Sequence, residues 1–526
     1  MRIIVVNKKI VLATGLSIAA VIIAVFFILN LEKRWWIEET REDQVYFGAF
    51  VPGVEASIKL LDQLESTIGQ KLTIINTFLP SSADFPAEFC ERIIYHGAIP
   101  MITWMPQPRD PSTEHGRVLD SIAGGNWDSY IRKWAVDARN FGKPVYIRWG
   151  HEFNGYWYPW SVPANENSPD KFVAAWKHVH DIFAREGATN VQWVWCPYLR
   201  SNPDEAWNDP LLAYPGDEYV DWIGIDEYNW GSSFIWSNWL EFSEIFSNKV
   251  RIFSTHFPTK PIMIAEVGCT EENELPGQTK AQWVRNMLDS LKWMTPIRAV
   301  VWFNSFKETD WRMESSESSL DAFKEIFRDA YIADDARGLW KIPDNFRSDP
   351  NIWPTSTVRA EMPFYVYGDN GGNFAASGWM GDYQSMTLSE YCTETPAVGD
   401  TCMKVKYDIT TSRKVWAGIY WQNPPNNWGN EDGGYDLSDA TKLVFWARGE
   451  NGGEIVNFKT GGISGSYPDS AFVVLGTITL SKEWREYEID LRGHDLSYIS
   501  GGFVWVAKQD QNPKGCTIYL DEIRYE

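Results

Sequence analysis

Ile147-Arg148-Trp149-Gly150-His151-Glu152-Phe153-Asn154-Gly155-Tyr156-Trp157-Tyr158-Pro159-Trp160 begins as an apolar strand, ends among aromatic rings, and delivers one carboxylate, Glu152, between them. A second stretch repeats the logic: Lys260-Pro261-Ile262-Met263-Ile264-Ala265-Glu266-Val267-Gly268 is an apolar run that ends in Glu, with Gly beyond it where the backbone can turn.

Outward from these two stretches, residues 45–306 alternate short apolar runs with segments of helical period, the pattern of repeated βα units. Strands are expected over 45–50, 72–78, 99–105, 144–149, 191–196, 220–225, 260–265 and 298–303. Helices are expected between them, for example over 126–141, 169–186 and 280–294, with a last one around 316–330. Eight such units predict a (β/α)8 TIM barrel, here drawn over residues 40–337, and a barrel of this kind places its chemistry at the C-terminal ends of its strands. Glu152 follows the fourth strand and Glu266 the seventh, so both belong to one face. Trp104 at the third strand, Asp226, Tyr228 and Trp230 at the sixth, and Trp302 at the eighth are expected at the same mouth.

Beyond a Pro-, Asp- and Asn-rich linker at 338–358, short alternating runs separated by Gly- and Asn-rich turns occupy 359–526. That is the signature of an all-β sandwich. At the other end, residues 10–31 form an uncharged, mostly apolar run after Arg2, Lys8 and Lys9. Its length of about 20 residues suits a membrane-spanning helix, and no small-x-small cleavage site follows it. The expectation is an N-terminal transmembrane signal anchor, with residues 1–9 cytoplasmic and the catalytic part extracellular at the cell membrane; a secreted protein is the alternative.

The net charge of −22 argues against a nucleic-acid partner, because phosphate binding relies on clustered Lys and Arg. A neutral polysaccharide is compatible with it, and the 29 Trp favour sugar contact, since flat apolar rings stack on pyranoses. Among the six cysteines, Cys392 and Cys402 flank a polar turn and make a plausible hairpin disulfide, while Cys90, Cys196 and Cys269 sit in apolar contexts and read as buried.

Two carboxylic acids on one face are the equipment of glycosidic-bond hydrolysis, with retention or inversion decided by their separation. Arg148 is a candidate to hold the charge of one of them, and Trp157 and Trp160 are candidates for a neighbouring sugar subsite. The motif His151-Glu152-Phe153-Asn154-Gly155 together with Ala265-Glu266-Val267-Gly268 resembles glycoside hydrolase family 26, over roughly 45–330. The resemblance implies a retaining endo-β-glycanase with Glu152 as general acid/base and Glu266 as nucleophile. It also implies Tyr228 as the partner of the nucleophile, His151 and His96 as subsite residues, Trp302 as the subsite floor, and no cofactor for catalysis.

Phe153 stands where the family's mannanases usually carry Met, and Tyr158-Pro159-Trp160 looks more like its mixed-linkage glucanases. Internal β-1,4 linkages of β-1,3-1,4-glucan are therefore the first expected substrate and β-mannan the second; a catalytically inactive surface glycan-binding protein is the alternative. The C-terminal region resembles a β-jelly-roll carbohydrate-binding module. By that resemblance Asp521 is a candidate ligand of a structural Ca2+, and Trp416, Trp421, Trp428 and Tyr435 are candidate stacking residues.

Overall fold

A computed structural model describes residues 44–108, 117–271, 273, 277–336, 338–340, 346–409 and 414–526. Strands β1 (Tyr46–Phe50), β2 (Ile74–Pro80), β3 (Ile99–Met105), β4 (Val145–Trp149), β5 (Val191–Trp195), β6 (Trp222–Asn229), β7 (Ile262–Cys269) and β8 (Ile297–Phe303) close into a parallel barrel in sequence order. The helices on its outside are α1 (Lys59–Ile68), α2 (Ala87–His96), α3 (Val118–Ala123), α4 (Asp128–Phe141), α5 (Pro169–Glu186), α6 (Phe242–His256), α7 (Lys280–Trp293) and α8 (Glu317–Ile326).

Local chemistry explains the boundaries. In α5, Ser168 accepts the Lys171 N–H, Pro169 opens the first turn, and Gly187 ends the helix in the left-handed region, the arrangement that satisfies orphan backbone groups at each end. The strands alternate faces. Tyr46, Ile74, Ile99, Met101, Tyr146, Val194, Trp222, Met263, Ala299 and Val301 fill the barrel interior, whereas the intervening residues join the core beneath the helices.

The C-terminal region forms two antiparallel sheets. One has the order β10 (Ala375–Gly381), β13 (Trp416–Gln422), β18 (Gly501–Lys508), β15 (Ile455–Gly461), β16 (Phe472–Thr479). The other runs β11 (Met386–Cys392), β12 (Cys402–Tyr407), β19 (Cys516–Tyr525), β14 (Lys442–Gly449), β17 (Arg485–Asp490), with β9 (Phe364–Tyr367) against β19. Ile419, Phe458, Phe503 and Trp505 of the first sheet share one core with Val405, Phe445 and Ile518 of the second, so the sheets face each other as a sandwich. Trp421 is part of that core, Trp428 packs on Tyr420, and Tyr435 packs between Phe364 and Phe374. Cys392 and Cys402 lie opposite each other on β11 and β12 as free thiols.

One part of the expected architecture is corrected. The transmembrane helix over 10–31 lies outside the described residues, and among the described residues no helix is long and apolar enough to cross a membrane. The described residues form a barrel and a β-sandwich. The membrane partner and cell-membrane localisation drawn from that span are withdrawn with it.

Candidate active site

The mouth of the barrel is organised around Arg148. This side chain points inward from β4 and is fully buried. Its Nε donates to Thr103 Oγ1 at 3.0 Å, Nη1 to both oxygens of Asp226 at 2.7 Å, and Nη2 to Glu266 Oε2 at 2.7 Å. The planar guanidinium thus spans two carboxylates from neighbouring strands, a geometry that suits Arg and not Lys. Tyr228 Oη donates to the other oxygen of Glu266.

Glu266 reaches this position through a β-bulge. Ile225 pairs with Ile264 but Asp226 pairs with Glu266, so Ala265 is an extra residue on β7. Met263 and Ala265 both face the interior, and an uninterrupted alternation would turn Glu266 outward. The bulge restores it to the inside, a common use of such irregularities beside active sites. Gly268 follows because Trp311 and Tyr228 crowd it: a Cβ there would lie 3.0 Å from each ring.

Glu152 sits on the turn after β4 with φ of 52°, an uncommon left-handed conformation for a non-glycine residue and one that clusters at functional sites. Its N–H bonds Cys196 O at 2.8 Å, and its Oε2 accepts the Trp157 Nε1–H at 2.7 Å. Burial, and then the negative charges of Asp226 and Glu266, push its pKa well above the usual carboxylate range. The three acids share one cation, Arg148, and burial pushes the pKa of Asp226 up as well, to about 8, so a further negative charge beside them is disfavoured in a low dielectric. Glu152 is therefore held as the neutral acid.

His151 is buried against Phe78, Tyr158 and Trp160. Burial, followed by the charge of Arg148, holds its pKa well below the usual histidine value, so it is neutral. Trp160 is fully buried, donates to His151 O at 2.9 Å and stacks on Tyr158 with ring centroids 4.3 Å apart. It supports the turn. Trp157 is 38% exposed, and of this pair it is the ring open to a ligand. In the loop after β6, Trp230 contacts Phe234 and Trp236, which stack on each other at 5.1 Å. Phe234, Ile235 and Trp236 are exposed.

The structure brings Glu152, Glu266, Arg148, His151, Trp157, Asp226, Tyr228 and Trp230 together, and it leaves three expected residues elsewhere. Trp104 alternates outward from β3 and stacks on Trp134 of α4 at 4.1 Å. Trp302 alternates outward from β8, donating to Trp311 O at 2.7 Å and packing on Phe323 of α8. His96 ends α2, ahead of β3 and therefore at the opposite end of the barrel, where it bonds Glu65 at 2.8 Å. Asp226 is at the mouth but completely buried, with its oxygens taken by Arg148 and by Cys196 Sγ at 3.1 Å.

Sequence reasoning missed Trp311, whose ring packs 4.8 Å from Tyr228 and 4.9 Å from Trp230. It also missed Tyr198, which donates to Glu227 at 2.5 Å and meets the Trp157 ring edge-on at 5.1 Å. Both are aromatics in loops after strands, on the face where function concentrates, and that placement was the available signal.

Two acidic clusters have the ligand types of a cation site. Asp62, Glu65 and His96 lie within metal-binding reach of one another, but Lys71 Nζ already stands 2.5 Å from Glu65 and 3.2 Å from His96. In the sandwich, Asp521 accepts the N–H groups of Ala397, Val398 and Glu522 at 2.8, 3.1 and 2.9 Å. Amide donors on both its oxygens do not suit a cation, so the residues present do not fit the expected Ca2+.

Residues 110–333 match the family described as Glycosyl hydrolase family 26. Endoglucanase H of Acetivibrio thermocellus is 32% identical over 381 residues, which is 70% of this chain and 39% of that protein. A mannan endo-1,4-beta-mannosidase of Bacillus subtilis is 28% identical over 124 residues, 23% of this chain and 31% of the relative. The beta-1,3-xylanase TXYA of a Vibrio species is 26% identical over 116 residues, 21% of this chain and 22% of the relative. The chain thus spans well under half the length of each of these relatives. Among solved structures, a mannanase of Bacillus subtilis superposes with a TM-score of 0.41 at 17% identity, covering 56% of this chain and 88% of that one.

Proposed function

We propose that the chain carries a family 26 glycoside hydrolase catalytic domain and acts as a retaining endo-β-glycanase on a neutral polysaccharide, with β-1,3-1,4-glucan as first substrate and β-mannan as second. The observation that carries the reading is the different setting of the two carboxyl groups. Glu152 is held protonated by burial and its acidic neighbours, while Glu266 receives hydrogen bonds from Arg148 and Tyr228.

In the proposed mechanism the Glu266 oxygen attacks the anomeric carbon as Glu152 gives its proton to the departing glycosidic oxygen. The C–O bond of the leaving sugar breaks and a glycosyl ester on Glu266 forms. Glu152, now ionised, takes a proton from water, whose oxygen attacks the same carbon and frees Glu266. Arg148 and Tyr228 would restrain Glu266 in one orientation throughout, and Trp157 would steer the acid proton by holding Glu152 Oε2. Exposed rings in two loops of the mouth, Trp157 after β4 and Phe234 and Trp236 after β6, suit stacking against a sugar polymer. The lean to glucan is supported by the relative named as an endoglucanase, which is matched over 70% of this chain; the mannan and xylan relatives given above match under a quarter of it.

Incubation with β-1,3-1,4-glucan, mannan, β-1,3-xylan and cellulose, read as new reducing ends, tests this. Release from glucan first is the expected result. Release from none of the four, with binding to any of them in affinity electrophoresis, would favour an inactive glycan-binding protein.

A further inference from the structure

The sandwich is not tethered loosely beside the barrel. Within the expected linker, residues 348–353 lie on the barrel: Ser348 N donates to Pro258 O at 2.8 Å, and Trp353 joins the barrel core with its Nε1 on Ser254 Oγ at 3.1 Å. Helix α6 then meets the five-stranded sheet and its loops directly. Arg251 Nη1 donates to Pro468 O at 2.6 Å, Asn248 Nδ2 to Asp469 O at 2.9 Å, and Ser247 Oγ accepts from Gly465 N at 2.8 Å. All three α6 side chains are buried.

The same sheet grips the loop after β5. On β15, Val456 and Phe458 enter the sandwich core while Asn457 and Lys459 point the other way, toward the barrel. Lys459 pairs with Asp204, and Asn457 Nδ2 donates to Asp204 O at 3.2 Å. Next to them, Thr477 N donates to Glu205 Oε2 at 2.9 Å. The approach is close enough that a Cβ on Gly476 would lie 2.2 Å from that carboxylate oxygen.

From Asp204 and Glu205 a continuous set of bonds runs to the acid. Asn208 Nδ2 donates to Pro203 O at 2.9 Å and to Asn154 O at 2.8 Å, and Asn202 N also donates to Asn154 O at 2.9 Å. The Asn154 amide exchanges two bonds with the Tyr198 backbone, both 2.9 Å. The Tyr198 ring then stands edge-on to Trp157, which holds Glu152.

We infer that the outward face of the five-stranded sheet is a brace for the acid/base loop, with Lys459 and Glu205 as positioning residues that fix Trp157 and Glu152 through the 198–208 loop. This face is spent on the barrel and not on glycan. The inference rests on Glu152 being the acid/base. Loosening the brace admits water to Glu152 and lowers its raised pKa, so the alkaline limb of the kcat/KM profile moves down.

The test uses the full chain with Lys459→Met, Glu205→Ala and the conservative Lys459→Arg. For the first two, kcat/KM on β-1,3-1,4-glucan should fall about 3- to 10-fold, with kcat/KM on dinitrophenyl β-cellobioside, whose leaving group needs no acid in the first displacement, little changed. The alkaline limb should shift down by about half a pH unit, and Lys459→Arg should restore both. Independently of any substrate, amide hydrogen exchange of 198–208 should accelerate while exchange in the barrel strands does not. That arm separates a failed brace from a failed glycanase reading. Unchanged exchange in 198–208 would overturn the inference, as would equal losses on both substrates with an unmoved pH limb, the mark of general destabilisation.

Discussion

Arg148 Nη2 stands 2.7 Å from Glu266 Oε2 while Nη1 of the same guanidinium holds both oxygens of Asp226, so one buried cation fixes the nucleophile candidate and balances a second acid behind it. Removing the cation leaves two buried carboxylates uncompensated, which typically costs about 3–5 kcal/mol of stability. Arg148→Met should lower the melting temperature and abolish turnover. Arg148→Lys keeps the charge but cannot span both acids, and should fold better while remaining at least about 100-fold impaired. Calorimetry and initial rates on the two variants check this.

Glu152 makes a pH prediction with a definite sign. Its pKa is raised in the folded protein, by burial first and then by Asp226 and Glu266. Catalysis needs the protonated form, so kcat/KM should hold at lower pH and fall as pH rises through the raised value. The folding contribution has the same direction: it is fully present below the ordinary carboxylate pKa and is lost as pH rises through the folded one. Glu152→Gln should therefore unfold at a higher temperature than the parent in alkaline buffer and show little difference in acid, as thermal scans across pH would reveal.

Tyr228→Phe removes one hydrogen bond to Glu266 and little else. A hydrogen bond to a charged group is worth about 1.5–3 kcal/mol, or roughly 10- to 100-fold in rate. That loss should appear in kcat with the melting temperature nearly unchanged, which stopped-flow rates and calorimetry can separate.

Trp236 is 51% exposed and stacked on Phe234, so its removal should not disturb the core. Loss of such a surface is worth on the order of 1 kcal/mol. Trp236→Ala should raise KM on polymer about fivefold with kcat retained. An unchanged KM would remove this rim from the binding cleft.

The strand ends carrying Glu152 and Glu266 were legible because apolar runs and helical periods mark βα units strongly. Side-chain facing was less so. Trp104 and Trp302 lie at strand ends, but period-two alternation turns them toward α4 and α8, and counting outward from the interior residues Met101 and Val301 would have revealed it. Glu266 breaks the same rule through a bulge that no local residue type announces. His96 is a subsite residue by family likeness alone, and its place at the end of α2 sets it below the barrel. The docking of the sandwich depends on contacts more than 200 residues apart, such as Arg251 with Pro468, which periodicity does not encode.

As acid/base and nucleophile, Glu152 and Glu266 would act in two successive displacements at one carbon. Proton NMR of the first products released from β-1,3-1,4-glucan reads this directly, before mutarotation mixes the anomers. Two displacements predict that the β-anomer appears first and the α-anomer only later. First appearance of the α-anomer would mean a single displacement by water and would contradict the assignment of Glu266.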